Sequence, residues 1–331
     1  MERRNSLREF LDAHDNNYVF RPEVVEQHKP KTVSSLSIVI PYYETGKIVK
    51  KVVDNLYASL NIVQREYPEW EFEVLMLDDG SKESPLTKHV DFTELENLII
   101  FTNKNNVGRS INRDMGLKMS KHSLVMFMDS DIVIDNHLVF NHLKTHELCF
   151  KSTGRESVSL SLFRYTNTKD PMLTNEVIHP GDVVINDWRV QCFYDSSWVG
   201  CEDDTEFIGQ EISILKDTDN LKKWNGKYKA WMLSNMVLGG CFMVDRKTSL
   251  EVGGFDKSFE GYGFTETSLP TKLIALGQFI IPVVIGGALH VEAENLFLTK
   301  KEKDAIFKKK HQYYFEQYLS MGLDEAIENS L

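Results

Sequence analysis

A chain of 331 residues, 42% hydrophobic and 26% charged, carries enough apolar material for one large domain or two of ordinary size. That balance excludes disordered and fibrous classes, and a net charge of −11 argues against a general nucleic-acid binder. The four cysteines, Cys149, Cys192, Cys201 and Cys241, show no CxxC pairing and read as free thiols of a reducing compartment.

The opening residues Met1-Glu2-Arg3-Arg4-Asn5 are polar and lead into no secretory-signal core. Residues 1–34 read as a polar N-terminal extension. From Ser37 the pattern sharpens. Ser37-Ile38-Val39-Ile40 is a short buried strand ended by Pro41, and Tyr42-Tyr43-Glu44-Thr45-Gly46 is the loop behind it. Val49, Val52, Val53, Leu56, Leu60 and Val63 recur at helical spacing, which predicts a helix from about Ile48 to Glu66 closed by Pro68. Phe72 to Leu77 is a second strand, ending in Asp78-Asp79-Gly80-Ser81. A third, Leu98 to Phe101, precedes Asn105-Asn106-Val107-Gly108, and a helix from about Arg109 to Met119 follows.

The fourth strand, Leu124-Val125-Met126-Phe127-Met128, runs straight into Asp129-Ser130-Asp131. A buried strand delivering Asp-x-Asp to its carboxyl end builds a hard-oxygen site for Mg²⁺ or Mn²⁺. Such ions hold one or two protein carboxylates and complete their shell with water and substrate phosphate. Strands alternating with helices imply an α/β fold with a parallel sheet, whose carboxyl edge is where ligands bind. Here each strand end carries polar residues: Tyr42 and Glu44, Asp78 and Asp79, Asn105 and Gly108, Asp129 and Asp131.

Residues 149 to about 230 are less regular and include Glu202-Asp203-Asp204; they read as an acceptor pocket or as a solvated insertion. Order returns at Leu238 to Val244, and a helix from about Ser268 to Leu276 ends at Gly277. The apolar run Ile274 to Leu289 is broken by Gly277, Gln278, Pro282, Gly286 and Gly287, too short and interrupted to span a bilayer. Lys300 to Leu319 forms an amphipathic helix, read first as packed on the domain and second as touching an anionic membrane surface. These features point to a cytoplasmic protein, at most peripheral to the inner membrane face.

Several motifs in order carry a resemblance. Ile38-Val39-Ile40-Pro41-Tyr42-Tyr43-Glu44, Asp78-Asp79-Gly80-Ser81, Asn106-Val107-Gly108, Asn112-Arg113-Asp114-Met115-Gly116 and Asp129-Ser130-Asp131 resemble the nucleotide-binding half of family 2 glycosyltransferases. Gly239-Gly240-Cys241-Phe242-Met243-Val244, Val252-Gly253-Gly254-Phe255-Asp256 and Gly261-Tyr262-Gly263-Phe264-Thr265-Glu266 are similar to that family's galactosyltransferase-like acceptor region. Asp114 stands where the family has Asn, and Thr265-Glu266 where it has Glu-Asp.

The resemblance implies a GT-A fold, a Rossmann-like mostly parallel sheet flanked by helices, with a less regular acceptor region. It divides the chain into residues 1–34, a transferase domain at 35–298 (donor half 35–148, acceptor half 149–298) and a helical tail at 299–331. It implies a metal-dependent, inverting transfer from a nucleotide-diphospho-sugar, with uridine as the base, to a hydroxyl of a glycan or other acceptor. Pro41, Tyr42, Glu44, Asp78, Asp79, Asn106, Gly108, Arg113 and Asp129 would bind the donor, Asp79 accepting from the base N–H. Asp129, Asp131 and His290 would hold Mn²⁺ or Mg²⁺, and Glu266 would be the general base. Residue by residue, Asp78 reads equally as a turn cap, His290 as a packed histidine and Arg113 as a solvated helix residue. Trp198, Trp231 and Tyr262 read as sugar-stacking or core aromatics. A sugar nucleotidyltransferase lacks its glycine- and lysine-rich loop here, and no Gly-x-Gly-x-x-Gly supports a dehydrogenase. A non-catalytic sugar-binding module of the same fold rests on Thr265-Glu266 alone.

Overall fold

The computed structural model describes the chain apart from residues 1–4, 15, 17, 19–21, 92, 94, 188–191, 194–210, 213–230, 238–239, 262, 293–298 and 331. Four parallel strands form its first half: β1 (Leu36–Tyr42), β2 (Phe72–Asp78), β3 (Leu98–Thr102) and β4 (Leu124–Met128). The second half adds β5 (Ile132–Ile134), β6 (Ser157–Asn167), β7 (Cys241–Asp245) and β8 (Phe279–Glu292). Together they make one eight-stranded sheet of order β3-β2-β1-β4-β7-β6-β8-β5. β7 runs antiparallel to β4 and β6, and β5 antiparallel to β8, so the sheet is mixed. A separate ladder pairs Cys192–Phe193 with Glu211–Ile212.

Strand alternation sends side chains to two cores. In β1, Ile38, Ile40 and Tyr42 join the layer under α3 (Ile48–Glu66) and α5 (Leu138–Thr153), while Val39 faces the layer holding Leu117 of α4 (Arg109–Met119). The helix predicted from Val49, Val52, Val53, Leu56, Leu60 and Val63 buries all six. Such a stripe contributes about 1.5–3 kcal/mol per fully buried aliphatic side chain. In α4, Gly116 is needed for close packing: a Cβ there would run into Val39 of β1.

The N-terminal segment is core, which corrects its reading as a peripheral extension. Leu7 and Leu11 of α1 (Leu7–Ala13) are fully buried in the main core. Ser6 caps α1 through a box with Glu9. The Leu7 amide donates to the Met321 carbonyl, and Asn16 brackets Ile280 of β8 from both its backbone groups. The C-terminal helix α9 (Lys300–Glu316) likewise directs its apolar residues inward. Tyr314 and Phe315 are buried, and Phe264 packs against Phe307, His311 and Tyr314. Much of its apolar side is used within the domain. Among the described residues no helix is long and apolar enough to cross one. Cys149 and Cys241 are both buried.

The serine-rich stretch taken as irregular is the long strand β6. Ser157, Ser159 and Ser161 alternate along one face and meet two buried histidines of α5. His142 bonds Ser159 Oγ at 2.6 Å and Ser161 Oγ at 2.7 Å; His146 Nε2 reaches Ser159 Oγ at 2.9 Å and the Met243 carbonyl at 3.2 Å. Burial pushes the two imidazoles down, to about 3 for His142 and about 4 for His146. Both are therefore neutral when folded and bind protons below pH about 6.5 only when unfolded. Stability is full above that value and falls as pH drops towards 4, where the folded groups begin to protonate. At pH 5 each histidine contributes about 2 kcal/mol to that loss. Urea unfolding at pH 7.5 and 5 checks this: His146→Gln should lose less stability on acidification than the wild type. An identical pH slope contradicts the assignment.

Candidate active site

In the strand order β3-β2-β1-β4 the connections reverse direction between β1 and β4, and such a switch point opens a crevice at the carboxyl edge. β1 and β4 stay paired only as far as Val39 and Phe127. Pro41 comes after that point, so its missing N–H leaves no ladder bond unmade. The loop after β1 is tied to the Asp-x-Asp turn by Thr45 Oγ1 and Ser130 Oγ, 2.6 Å apart.

Most donor-side carboxylates hold the loops that frame this crevice. Asp78 accepts from the amides of Ser81 (2.9 Å) and Leu86 (3.0 Å), the turn-cap role. Asp79 accepts from Asn103 Nδ2 and the amides of Val107 and Gly108, each at 2.9 Å. A carboxylate has about four acceptor positions, so these three bonds leave one. Glu44, at φ 52°, accepts from the amides of Lys82 (2.5 Å), Glu83 (3.1 Å) and Ser84 (2.6 Å). Burial pushes its carboxyl up, but the three amides together hold it below the ordinary range. It braces the 82–84 turn instead of reaching outward to a ribose.

Tyr42 is also turned away from the crevice. It is buried on the Ile38–Ile40 face, with its hydroxyl donating to the Ser84 carbonyl. Tyr43, its neighbour, is 41% exposed. Period-two alternation from Ile38 and Ile40 would have distinguished the two tyrosines. Asn106 lies exposed in the loop before α4. Gly108, at φ 94°, begins α4, and a Cβ there would collide with the Glu260 carboxyl. Glu260 accepts from the first two helical amides, Arg109 and Ser110, both at 2.9 Å. An anion at a helix N-terminus is favourable, and here the C-terminal half of the chain supplies it. The role of Glu260 carried no sequence signal, because the partner amides lie about 150 residues away.

The centre of the site is Arg113. Its side chain is fully buried, so it is neither a solvated helix residue nor open to a diphosphate. Nη2 donates to Asp129 Oδ1 at 2.5 Å and Nη1 to Glu266 Oε1. The Thr265 hydroxyl donates to the same Glu266 oxygen at 2.5 Å. The Asp129 and Glu266 side chains keep 22% and 11% of their surface exposed. Burial alone would lower the guanidinium pKa, but the two carboxylates raise it above its ordinary value. Asp114, where the family has Asn, accepts from the Phe255 amide at 3.3 Å and pairs with Lys118.

Asp131 faces a different partner. Its Oδ2 lies 3.8 Å from His290 Nε2, and the Val291 amide donates to the Asp131 carbonyl at 3.0 Å. Asp131 Oδ1 and His290 Nδ1 are both buried without a hydrogen-bond partner. Burial raises the Asp131 pKa; His290 opposes this and Asp129 adds to it. Tyr165, opposite His290 on β6, sets its ring 5.2 Å from the imidazole. Among the described residues no three carboxylate, thiol or imidazole side chains close into a metal cage. An Asp–His pair fits a Mn²⁺-type ion that takes its remaining ligands from substrate and water. Trp198, Tyr262 and the acidic run at 202–204 lie outside the described residues, as does the side chain of Trp231.

Comparison with known proteins bears on the fold and the family. Residues 37–152 match the family model "Glycosyl transferase family 2". A relative in Bacillus subtilis (strain 168), "Uncharacterized glycosyltransferase YfnE", is 25% identical over 73% of this chain and 60% of its own. The chondroitin synthase of Pasteurella multocida (strain Pm70) is 24% identical over 78% of this chain and 25% of its own. The chain thus spans less than two thirds of these relatives. Among solved structures, GalNAc-T7 in complex with UDP, GalNAc and Mn²⁺ superposes with TM-score 0.54 at 16% identity, over 87% of this chain and 51% of that one. Residues 37–152 are thus similar to family 2 glycosyltransferases, and the chain shares the GT-A fold of its structural neighbour.

Proposed function

We propose that the chain is a metal-dependent, inverting glycosyltransferase that moves a sugar from a uridine-diphospho-sugar to an acceptor hydroxyl in glycan, polysaccharide or glycoconjugate synthesis. The observation that carries this reading is the meeting of Asp129 and Glu266 on the buried Arg113, beside the Asp131–His290 pair. The UDP, GalNAc and Mn²⁺ bound by the GalNAc-T7 neighbour support the donor class and the metal.

The base stacks on the exposed Tyr43, and the remaining acceptor position of Asp79 takes a base N–H. Asp78, Asp79 and Glu44 hold the 81–86 and 103–108 loops in place around it. Asp131 and His290 would hold a divalent cation, Mn²⁺ or Mg²⁺. At that site it would supply neutralisation of the charge that builds on the departing diphosphate. Glu266 takes the acceptor proton. Both of its bonds to Arg113 and Thr265 fall on Oε1, so Oε2 keeps its lone pairs for that proton. As the acceptor oxygen bonds to the anomeric carbon, the sugar–phosphate C–O bond breaks on the opposite face and its electron pair leaves with the nucleoside diphosphate. The anomeric centre is inverted. General-base assistance of this kind gives about 10²–10⁴-fold.

Glu266→Gln tests the base. It keeps the shape and one acceptor for Arg113 but removes the basic carboxylate. Turnover with a UDP-sugar and an acceptor panel should fall by about 10²–10⁴-fold with donor affinity kept. Donor binding with no turnover in the wild type on any acceptor would instead make the chain a binding module. The metal pair makes a separate prediction. Asp131→Ala should weaken Mn²⁺ binding, read from the EPR signal of the free ion, by more than the about 10–100-fold typical of outer-shell changes. Unchanged Mn²⁺ binding would remove Asp131 from the ligand set.

A further inference from the structure

β8 does not run evenly along β6. Val283 pairs with Ser161, yet the next pair is Ala288 with Phe163, so β8 advances five residues where β6 advances two. The three additional residues form a bulge, and bulges near active sites re-aim side chains. An even register would put His290 opposite Thr168, about 10 Å further along β6. Three being odd, it would also put the imidazole on the other face of the sheet. The bulge therefore decides whether His290 can face Asp131 at all.

A buried carboxylate ties the bulge to β5. Asp135 is fully buried, just beyond β5, the strand that follows Asp131. Its Oδ2 accepts from the Gly287 amide at 2.5 Å and its Oδ1 from the His137 amide at 2.8 Å. Its own amide donates to the Gly287 carbonyl at 3.0 Å. Gly286, at φ 94°, lies so close that a Cβ would strike the Asp135 carboxylate. Asn141 of α5 satisfies the Ile285 carbonyl at 2.8 Å, while Val183 and Ile185 cover Gly287 so closely that a Cβ there would not fit. From this clamp β5 pairs with β8 in register, Ala288 with Ile134, Leu289 with Val133 and His290 with Ile132. The antiparallel pairing ends at the Val291–Asp131 bond.

We infer that Asp135 is a positioning residue for the metal site: by pinning the Gly286–Gly287 bulge it sets the β8 register that brings His290 to Asp131. The inference rests on the proposed Asp131–His290 pair for its chemical meaning, but the register claim stands on its own. Asp135→Asn keeps the size of the side chain and loses one of its two acceptor oxygens. Binding of Mn²⁺ alone, followed by EPR, should weaken by about 10–100-fold in this variant. In a His290→Ala background the same change should add nothing, because its effect passes through His290. Equal weakening in both backgrounds would mean a general structural defect and would overturn the positioning role, as would unchanged affinity in Asp135→Asn. Amide exchange at Val291 reads the register without metal. It should be protected in the wild type and markedly faster in Asp135→Asn at a temperature where both remain folded, and equal protection would overturn the inference. If the wild type binds no Mn²⁺, the metal reading fails, and the exchange result still decides the role of Asp135 in the register.

Discussion

A guanidinium cannot be buried alone. Removing a charge from water costs several kcal/mol even after relaxation, and only close opposite charges with good geometry offset it. Arg113 has no exposed surface, and its partners come from distant parts of the chain, Asp129 from the end of β4 and Glu266 from the loop before α8 (Ser268–Ala275). The charge balance of the interior thus demands that the Asp-x-Asp turn and the Thr265-Glu266 loop meet at one point. Lysine would not substitute, since a point charge cannot present two donors in a fixed fork to two separate carboxylates. The same cation keeps two like charges close together without mutual repulsion forcing them apart.

Around that contact the two carboxylates of Asp-x-Asp divide their work. Asp129 is held by protein, and Asp131 is left with a buried oxygen without a partner, beside an imidazole with a buried nitrogen in the same condition. Buried polar atoms are rarely left so in a folded protein, and a site for an ion is among the recognised reasons. Glu260 makes a second tie between the halves by capping α4. The loop carrying Glu266 is thereby braced from the donor side by Arg113 and the α4 amides, and from behind by the aromatic contacts of α9 with Phe264.

The N-terminal half of the sheet was legible because its elements are local: helical spacing in α3, short apolar strands, and acidic residues at strand ends. What was not legible depended on contacts remote in sequence. The buried Arg113 looks in sequence like any helix arginine, and nothing local marks Asp135 as the clamp of a strand more than 100 residues away. Gly286 and Gly287 stood out only as interruptions of an apolar run, whereas in the fold they make the bulge that places His290. β6 was missed because alternating serines imitate a polar loop; their hydroxyls are buried, satisfied by His142 and His146. Leu7 and Leu11 sit in a charged segment, and burying one leucine per helical turn was enough to make that segment core. The Tyr42 assignment was the avoidable error, since strand alternation already placed it inside.

The most direct test is release of nucleoside diphosphate from a panel of UDP-, GDP- and dTDP-sugars, with Mn²⁺ and with EDTA, with and without candidate acceptor glycans. Release from UDP-sugars should require the divalent ion, be stimulated by an acceptor, and be abolished in Asp131→Ala. Neither binding nor release with any of these donors, with metal or without it, would contradict the account at its centre.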